Sequence, residues 1–162
     1  MNTSSRAPLM PLMTGLLLVL AGCPEPQNGS ISVSGHYRAG PTLREAPATS
    51  SLNVVVRGHN SPSWTSSQEI SRDTTCWSNP VGCLYLAEFK GLREGKYLLS
   101  MEMHDAEYVR TGGTSGTATV LGYYIADPAL EDSAYNALSP SEADTILIDE
   151  LHRAHSIVFN IH

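Results

Sequence analysis

Six histidines offer this chain its simplest routes to catalysis and metal binding, and three of them lie in arrangements that a site could use. His152 and His155 are three residues apart, a spacing at which two imidazoles on a helix can share a metal ion. On a hairpin turn the same spacing leaves both rings in water, so we predict no metal and no cofactor and keep this pair as the nearest candidates. His104-Asp105 has the composition of a catalytic pair, but no serine or cysteine beside it has the context of a nucleophile.

The segment 111–152 contains seven acidic residues and neither lysine nor arginine. Carboxylate oxygens are the ligands that Ca²⁺ prefers, but these acids are scattered and match no EF-hand loop. A solvated acidic face is the prediction.

Trp64 and Trp77 both fall in stretches that read as loops, where an aromatic ring can stack on a sugar or on a partner protein. Trp77 follows Cys76 directly and is expected to pack against a disulfide. Trp64 is therefore the candidate binding residue.

Cys23 closes a segment with the order of a secretory signal: a short polar start, an apolar run over residues 9–20, and the small residues Ala21 and Gly22. A helix of these dozen apolar residues would be about 18 Å long, against about 30 Å for the hydrocarbon core of a bilayer. We therefore interpret the segment as an export signal and not as a membrane span.

Leu20-Ala21-Gly22-Cys23 resembles the lipobox of bacterial lipoproteins. In that family a diacylglyceryl group is attached to the cysteine thiol and a dedicated peptidase cuts before it. The resemblance implies a signal peptide at 1–22, a lipidated Cys23, and a linker over 23–30. Pro24 is not the aspartate that retains some lipoproteins at the inner membrane, so we expect the outer membrane, facing the periplasm or the surface. The alternative is an ordinary secretory signal that a cysteine follows by chance.

Residues 23–162 carry nine lysines and arginines and all 16 acidic residues, a formal charge of −7. This charge argues against nucleic acid as a partner and against electrostatic attachment to anionic lipids. The length suits one domain, 31–162, and abundant Ser, Thr, Gly and Pro suit an all-β fold with many turns.

Cys76 and Cys83 enclose six residues that include the turn formers Asn79-Pro80 and Gly82. An exported domain folds in an oxidising compartment, so we predict a disulfide between these two cysteines. A zinc site would need further ligands, and no second cysteine pair or adjacent histidine supplies them.

Alternation of apolar and polar residues predicts half-buried strands along most of the domain. The predicted strands are Ile31 to Tyr37, Leu52 to Val56, a strand with Leu84, Leu86 and Phe89, Tyr97 to Met103, and Thr119 to Ile125. Ile146 to Leu151 and Ser156 to Ile161 are expected to form a closing hairpin. Residues 58–75 read as a long polar loop with a short strand at 68–72, and residues 129–137 as one or two helical turns.

Phe89, Leu92, Gly95, Tyr97 and Leu99 match the F-x-x-L-x-x-G-x-Y-x-L corner of small transthyretin-like sandwiches. The stretch resembles the carboxypeptidase regulatory-like and Cna-B-like modules of that group. The resemblance implies a Greek-key β-sandwich of about seven strands, in which the leucine docks into the core and the tyrosine starts the next strand.

The enzyme branch of transthyretin-like folds hydrolyses hydroxyisourate and ends in Tyr-Arg-Gly-Ser, whereas this chain ends Phe159-Asn-Ile-His162, so that activity is not carried over. The leading hypothesis is a lipid-anchored, non-enzymatic module that presents residues 59–75 and 110–118 to a protein or a glycan. One alternative is a small envelope hydrolase that uses His104, His152 or His155. The other is a structural subunit of an envelope complex.

Overall fold

Strict alternation of buried and half-buried residues begins the folded part of the chain at Gly29 and runs to Tyr37. The computed structural model describes residues 28–126 and 139–161, and at 61–63 it describes the backbone alone. Cys23, the rest of the predicted signal segment and the predicted helical turns at 129–137 lie outside these ranges. The strands, helices and 3₁₀ turn in chain order are β1 (Gly29–Tyr37), α1 (Pro41–Glu45), β2 (Ser51–Gly58), β3 (Ser61–Ile70), a 3₁₀ turn (Thr74–Cys76), β4 (Cys83–Leu92), β5 (Gly95–His104), α2 (Ala106–Thr111), β6 (Ala118–Tyr123), β7 (Thr145–Ile148) and β8 (Ala154–Val158).

The strands form two sheets, as the all-β sandwich prediction required. Sheet A has the order β4-β1-β8, with β8 parallel to β1. Sheet B has the order β3-β2-β5-β6, and β7 also pairs with β5. β6 pairs along residues 100–104 of β5 and β7 along residues 95–98, so these two short strands follow one another along the same edge.

The inward residues of both sheets form a single apolar core. β2 and β5 lie side by side in sheet B and supply its most enclosed side chains, which are fully buried at Leu52, Val54, Val56, Leu99 and Met101. These core residues recur with a period of two on the inward face of both strands, and this pattern specifies the register of the strands.

The corner between β4 and β5 carries the chain from sheet A to sheet B. Leu92 ends β4 at 1% exposure, and Tyr97, 6% exposed, lies two residues after the turn at Gly95. The predicted burial of the leucine and start of a strand near the tyrosine are confirmed.

The predicted long loop at 58–75 is wrong, because residues 61–70 form the ten-residue strand β3. Its outward positions Thr65, Ser67 and Glu69 pair with Arg57, Val55 and Asn53 of β2, respectively. β3 is an edge strand with few apolar residues, so it lacks the alternation that identifies a half-buried strand. The polar stretch after Gly40 likewise contains α1, which Pro41 starts and Leu43 anchors in the core at 3% exposure.

The predicted closing hairpin is also wrong. β7 pairs with β5 in sheet B, whereas β8 pairs with β1 in sheet A. Alternation indicates which residues face inward, but it does not say which strand lies alongside, and here the turn between β7 and β8 carries the chain across the sandwich.

The amide of Gln68 links an edge strand of sheet B to an edge strand of sheet A. This β3 side chain donates from Nε2 to the backbone oxygen of Glu88 and accepts at Oε1 from the Glu88 amide at 2.8 Å. It therefore occupies both backbone hydrogen-bonding groups of one residue on β4, an edge strand of sheet A.

Strand β4 offers a matched pair of leucines that tests its orientation. Leu92 is 1% exposed and Leu84 is 74% exposed. We expect Leu92→Ala to lower the free energy of unfolding by about 2–5 kcal/mol, because a buried cavity forms. Leu84→Ala should change it by less than about 0.5 kcal/mol, as at most surface positions. Urea unfolding measures both, and equal losses would contradict the register of β4.

Candidate functional site

A cleft of ≈ 640 Å³ opens at the end of the sandwich where the β2–β3 turn meets the β4–β5 corner. The amide of His59 in the first turn donates to the backbone oxygen of Lys96 in β5 at 2.8 Å, which fixes the two connections side by side. The volume falls within the range of small-molecule sites.

Trp64 forms the aromatic wall of this cleft and is 40% exposed. The ring of Tyr97 packs against it at 5.4 Å between centroids and 72° between planes, the edge-to-face geometry that aromatic pairs prefer. The Tyr97 hydroxyl donates to the backbone oxygen of Arg93 at 2.6 Å. The buried phenol of Tyr97 thus contacts the exposed indole and holds the β4–β5 corner by a hydrogen bond.

Glycine positions the corner backbone. Gly91 has φ 73°, in the left-handed region that side chains other than glycine rarely adopt. An ideal Cβ there would meet no atom within 4 Å, so the requirement is conformational and not one of space.

Among the residues whose side chains the structure describes, none that lines the cleft is aliphatic. The lining residues are Gly58, Asn60, Trp64, Gly91, Arg93, Glu94, Gly95, Lys96 and Tyr97. Two cations, one carboxylate and one amide supply hydrogen bonds in both directions, and the two aromatic rings supply the apolar surface. Such a lining suits a polar ligand that has one apolar face.

Sequence reasoning identified Trp64 and missed the rest of the cleft. Trp64 lies on an edge strand and not in the predicted loop. The sequence predicts a corner at Gly95 and the start of a strand at Tyr97, and it marks none of Arg93, Glu94 and Lys96 as functional. The available signal was the tight turn at Gly95, which sequence alone does not place beside the β2–β3 turn.

A second polar cluster lies on the outer face of sheet B. Ser100, Glu102 and His104 alternate with core residues of β5, yet they are only 1%, 0% and 5% exposed. Arg57 of the neighbouring strand donates to both oxygens of Glu102, from Nη2 to Oε2 at 2.8 Å and from Nη1 to Oε1. The hydroxyl of Ser100 donates to Oε1 at 2.7 Å, and Nε2 of His104 lies 3.2 Å from Oε2.

The pKa of Glu102 reflects two opposing effects. Burial by itself would raise it, but the hydrogen bonds from Arg57, His104 and Ser100 outweigh burial and lower the pKa to about 2. The carboxylate is therefore ionised at neutral pH and fully engaged. Tyr108 of α2 covers His104, with 4.3 Å between ring centroids. The cluster stabilises the sheet and exposes no nucleophile.

His104 and Asp105, which the sequence offers as a possible catalytic pair, have separate partners. The carboxylate of Asp105 caps α2 by accepting a hydrogen bond from the backbone amide of Tyr108 at 2.7 Å. Its other oxygen accepts one from the amide of Thr117, just before β6, at 2.8 Å. These backbone hydrogen bonds lower the pKa of Asp105. A carboxylate that directly precedes a helix serves as its cap, and the histidine partner is Glu102.

His152 and His155 have separate partners. Nδ1 of His152 lies 2.9 Å from Oδ1 of Asp149, and Nε2 of His155 lies 2.8 Å from the backbone oxygen of Leu147. Within residues 28–126 and 139–161, no group of three or more His, Cys, Asp or Glu side chains is arranged to hold a metal ion.

Cys76 and Cys83 form the predicted disulfide, with 5.3 Å between their Cα atoms. Trp77 and Cys76 both pack against the apolar core, and the guanidinium of Arg72 lies 5.9 Å from the Trp77 ring centroid. The second predicted presenting loop, 110–118, is partly helical, because α2 extends to Thr111 and β6 starts at Ala118.

Comparison of the chain with family models, curated proteins and solved structures finds no match. In the described part of the chain, no helix combines the length and the apolar character that crossing a bilayer requires.

Glu102 gives the fold a specific acid sensitivity. Its pKa is lower in the folded protein than the usual 4.5, so its stabilising effect is complete above about pH 4.5 and is lost as the pH falls towards 2. We expect Glu102→Gln to cost on the order of 3 kcal/mol at pH 7, because the Arg57 cation loses its charged partner. The variant should also lack that part of the acid-induced loss of stability.

Glu107→Gln is the matched control, because Glu107 pairs with Arg110 at an exposed site on α2. It should change stability by less than about 1 kcal/mol and leave the pH profile intact. Urea unfolding at several pH values between 2 and 7 measures both effects. If the stability of Glu102→Gln varied with pH in parallel with that of the wild type, Glu102 would not be the source of the acid sensitivity.

Proposed function

We propose that this protein is an exported, lipid-anchored module of the bacterial cell envelope that binds a glycan in the Trp64 cleft and has no catalytic role. The observation that carries the binding proposal is Trp64 itself, a 40% exposed indole on an edge strand that a buried tyrosine braces from behind. Large aromatic side chains bury area at low entropic cost, so an exposed and braced one favours ligand contact.

A glycan fits the lining better than an apolar ligand does. A sugar ring presents C–H groups on its faces and hydroxyls around its rim. The indole of Trp64 can receive a face, while Asn60, Arg93, Glu94 and Lys96 are suited to the hydroxyls as donors and acceptors. A lipid or apolar cofactor would meet the charged side chains of Arg93, Glu94 and Lys96.

The lipobox resemblance of Leu20-Ala21-Gly22-Cys23 supports the anchoring proposal. The disulfide between Cys76 and Cys83 agrees with it, because such bonds persist in oxidising compartments. Cys23 is the proposed site of lipidation, and the outer membrane is the proposed location, facing the periplasm or the surface.

Removal of the indole tests the binding proposal. We expect Trp64→Ala to abolish retention on an array of bacterial envelope oligosaccharides and to weaken binding of the retained sugar at least about tenfold in calorimetry. Loss of stacking costs about 1.4 kcal/mol or more, and 1.4 kcal/mol corresponds to a factor of ten.

Leu151→Ala serves as the control, because Leu151 is 88% exposed and lies outside the cleft lining. It should bind as the wild type does. If no oligosaccharide binds the wild type, or if Trp64→Ala binds equally well, glycan binding at this cleft is wrong.

Substitution at residue 23 tests the anchor. Expressed with its signal segment in a bacterium that processes lipoproteins, the wild type should lose residues 1–22, gain the mass of acyl chains at Cys23 and enter the detergent phase. Cys23→Ser should remain unacylated and stay in the aqueous phase. The double variant Cys76→Ser/Cys83→Ser lacks the disulfide but should still be acylated. An intact first segment or an unmodified Cys23 thiol in the wild type would refute the anchor.

A further inference from the structure

Among the strand residues in the described ranges, the most exposed apolar side chains lie on the outer face of sheet A. Leu84 and Leu86 of β4 are 74% and 73% exposed, and Val158 of β8 is 66% exposed. These residues alternate with core residues of their strands, so all three point outward.

The strand register brings them together. Leu86 and Val158 both lie opposite Ser34 of the central strand β1, which places them in one row across the sheet. Leu84 is two residues along β4 from Leu86, on the same face. Only the small side chain of Ser34 separates the two ends of the row, so the three residues form one apolar band.

The face around this band is nearly neutral. Its outward residues are Ser30, Ser32, Ser34, His36, Leu84, Leu86, Glu88, Lys90, Ala154, Ser156 and Val158. Glu88 and Lys90 carry opposite charges and pair at 3.0 Å. Residues 23–162 carry a formal charge of −7 in total, so this face avoids the excess acid of the rest of the chain. Removing it from water would leave no unpaired charge behind.

We propose that the outer face of sheet A rests on the bilayer to which Cys23 is anchored, with Leu84, Leu86 and Val158 in the interface between lipid and water. This inference rests on the proposed anchor. Residues 24–28 link Cys23 to β1, and five residues span at most about 18 Å. The row of Leu86 and Val158 is five residues along β1 from Gly29, about 17 Å at 3.3–3.4 Å per residue. The tether is therefore long enough for the sheet to lie flat over its own acyl chains.

The size of the band favours the bilayer over a second copy of the chain. Three strands about 4.8 Å apart and two outward rows cover roughly 200 Å². A stable complex buries about 800 Å² on each partner, several times more than this band offers. A tethered surface needs much less, because the tether already holds the band at a millimolar effective concentration near the membrane.

Quenching by brominated lipids tests the proposal. The mature chain, residues 23–162, is coupled through the Cys23 thiol to a maleimide lipid in neutral phosphatidylcholine vesicles, so that the tether does not depend on cellular lipidation. The other two cysteines are joined in the disulfide. With bromine near the headgroup end of the acyl chains, Leu86→Trp should lose most of its fluorescence above the wild-type signal of Trp64 and Trp77. The loss should persist at high salt, because the contact is apolar.

Val109→Trp is the matched control, because Val109 is 51% exposed on α2, the helix whose Tyr108 covers the outer face of sheet B. Its added fluorescence should survive. Equal quenching of the two variants, or none of Leu86→Trp, would overturn the docking proposal. Quenching that falls as the surface density of protein rises would assign the band to a second copy, because a partner would shield it from the lipid, and would overturn the proposal too. Failure of lipidation in cells would leave this result standing, so the two proposals fail separately.

Discussion

Burial of the Leu92 side chain fixes the place where the chain passes from one sheet to the other. β4 ends at this residue, and three residues later β5 begins in the opposite sheet. A leucine that enters the common core at a sheet boundary holds both sheets at one separation and in one register. Gly91, directly before Leu92, and Gly95, at the start of β5, both have positive φ, and the short turn between the strands leaves Arg93, Glu94 and Lys96 at the end of the sandwich. The same constraint that joins the sheets therefore builds one wall of the cleft.

How much of this fold the sequence predicts depends on how each strand is buried. β1 and β5 are predicted nearly to their ends because apolar residues recur at every second position on the face toward the core, although some polar positions of β5 are buried as well. β3 is a polar edge strand, so no such pattern marks it. β4 shows a subtler difficulty: Leu84 and Leu86 suggest a buried face, but Cys83, Tyr85 and Ala87 form it. Apolar residues on an outward face make a strand easy to find and its orientation hard to predict.

The candidate sites were predictable to different degrees for a related reason. The disulfide follows from two cysteines a short turn apart, and Trp64 was identified by its type. The partners of Trp64 come from a turn about 30 residues further along the chain, which only the sheet order brings near. The network around Glu102 was missed because its members alternate with core residues on a strand whose polar positions read as exposed. Arg57 belongs to another strand, and no local sequence pattern predicts that it pairs with Glu102.

The polar network and the apolar band lie on opposite outer faces of the sandwich and have opposite consequences for solvation. On sheet B a charged cluster is enclosed and every carboxylate oxygen is engaged, so that face is stabilised from within. On sheet A the charges are few and paired, and the apolar side chains are in water. The outer face of sheet A therefore favours apolar contacts with another surface, whereas the charged groups of the sheet B cluster already have their partners within the protein.

The Gln68 amide that spans the two sheets has a consequence for proteins held at high density on a surface. An unpaired strand edge is a template for another chain, and crowding in two dimensions raises the frequency of such encounters. Gln68 fills both main-chain positions of Glu88 on the border of sheet A, so a neighbour cannot continue the ladder through that residue. A single glutamine on a polar strand thus closes the ladder at one residue of this edge, which an apolar side chain in its place would leave open to pairing.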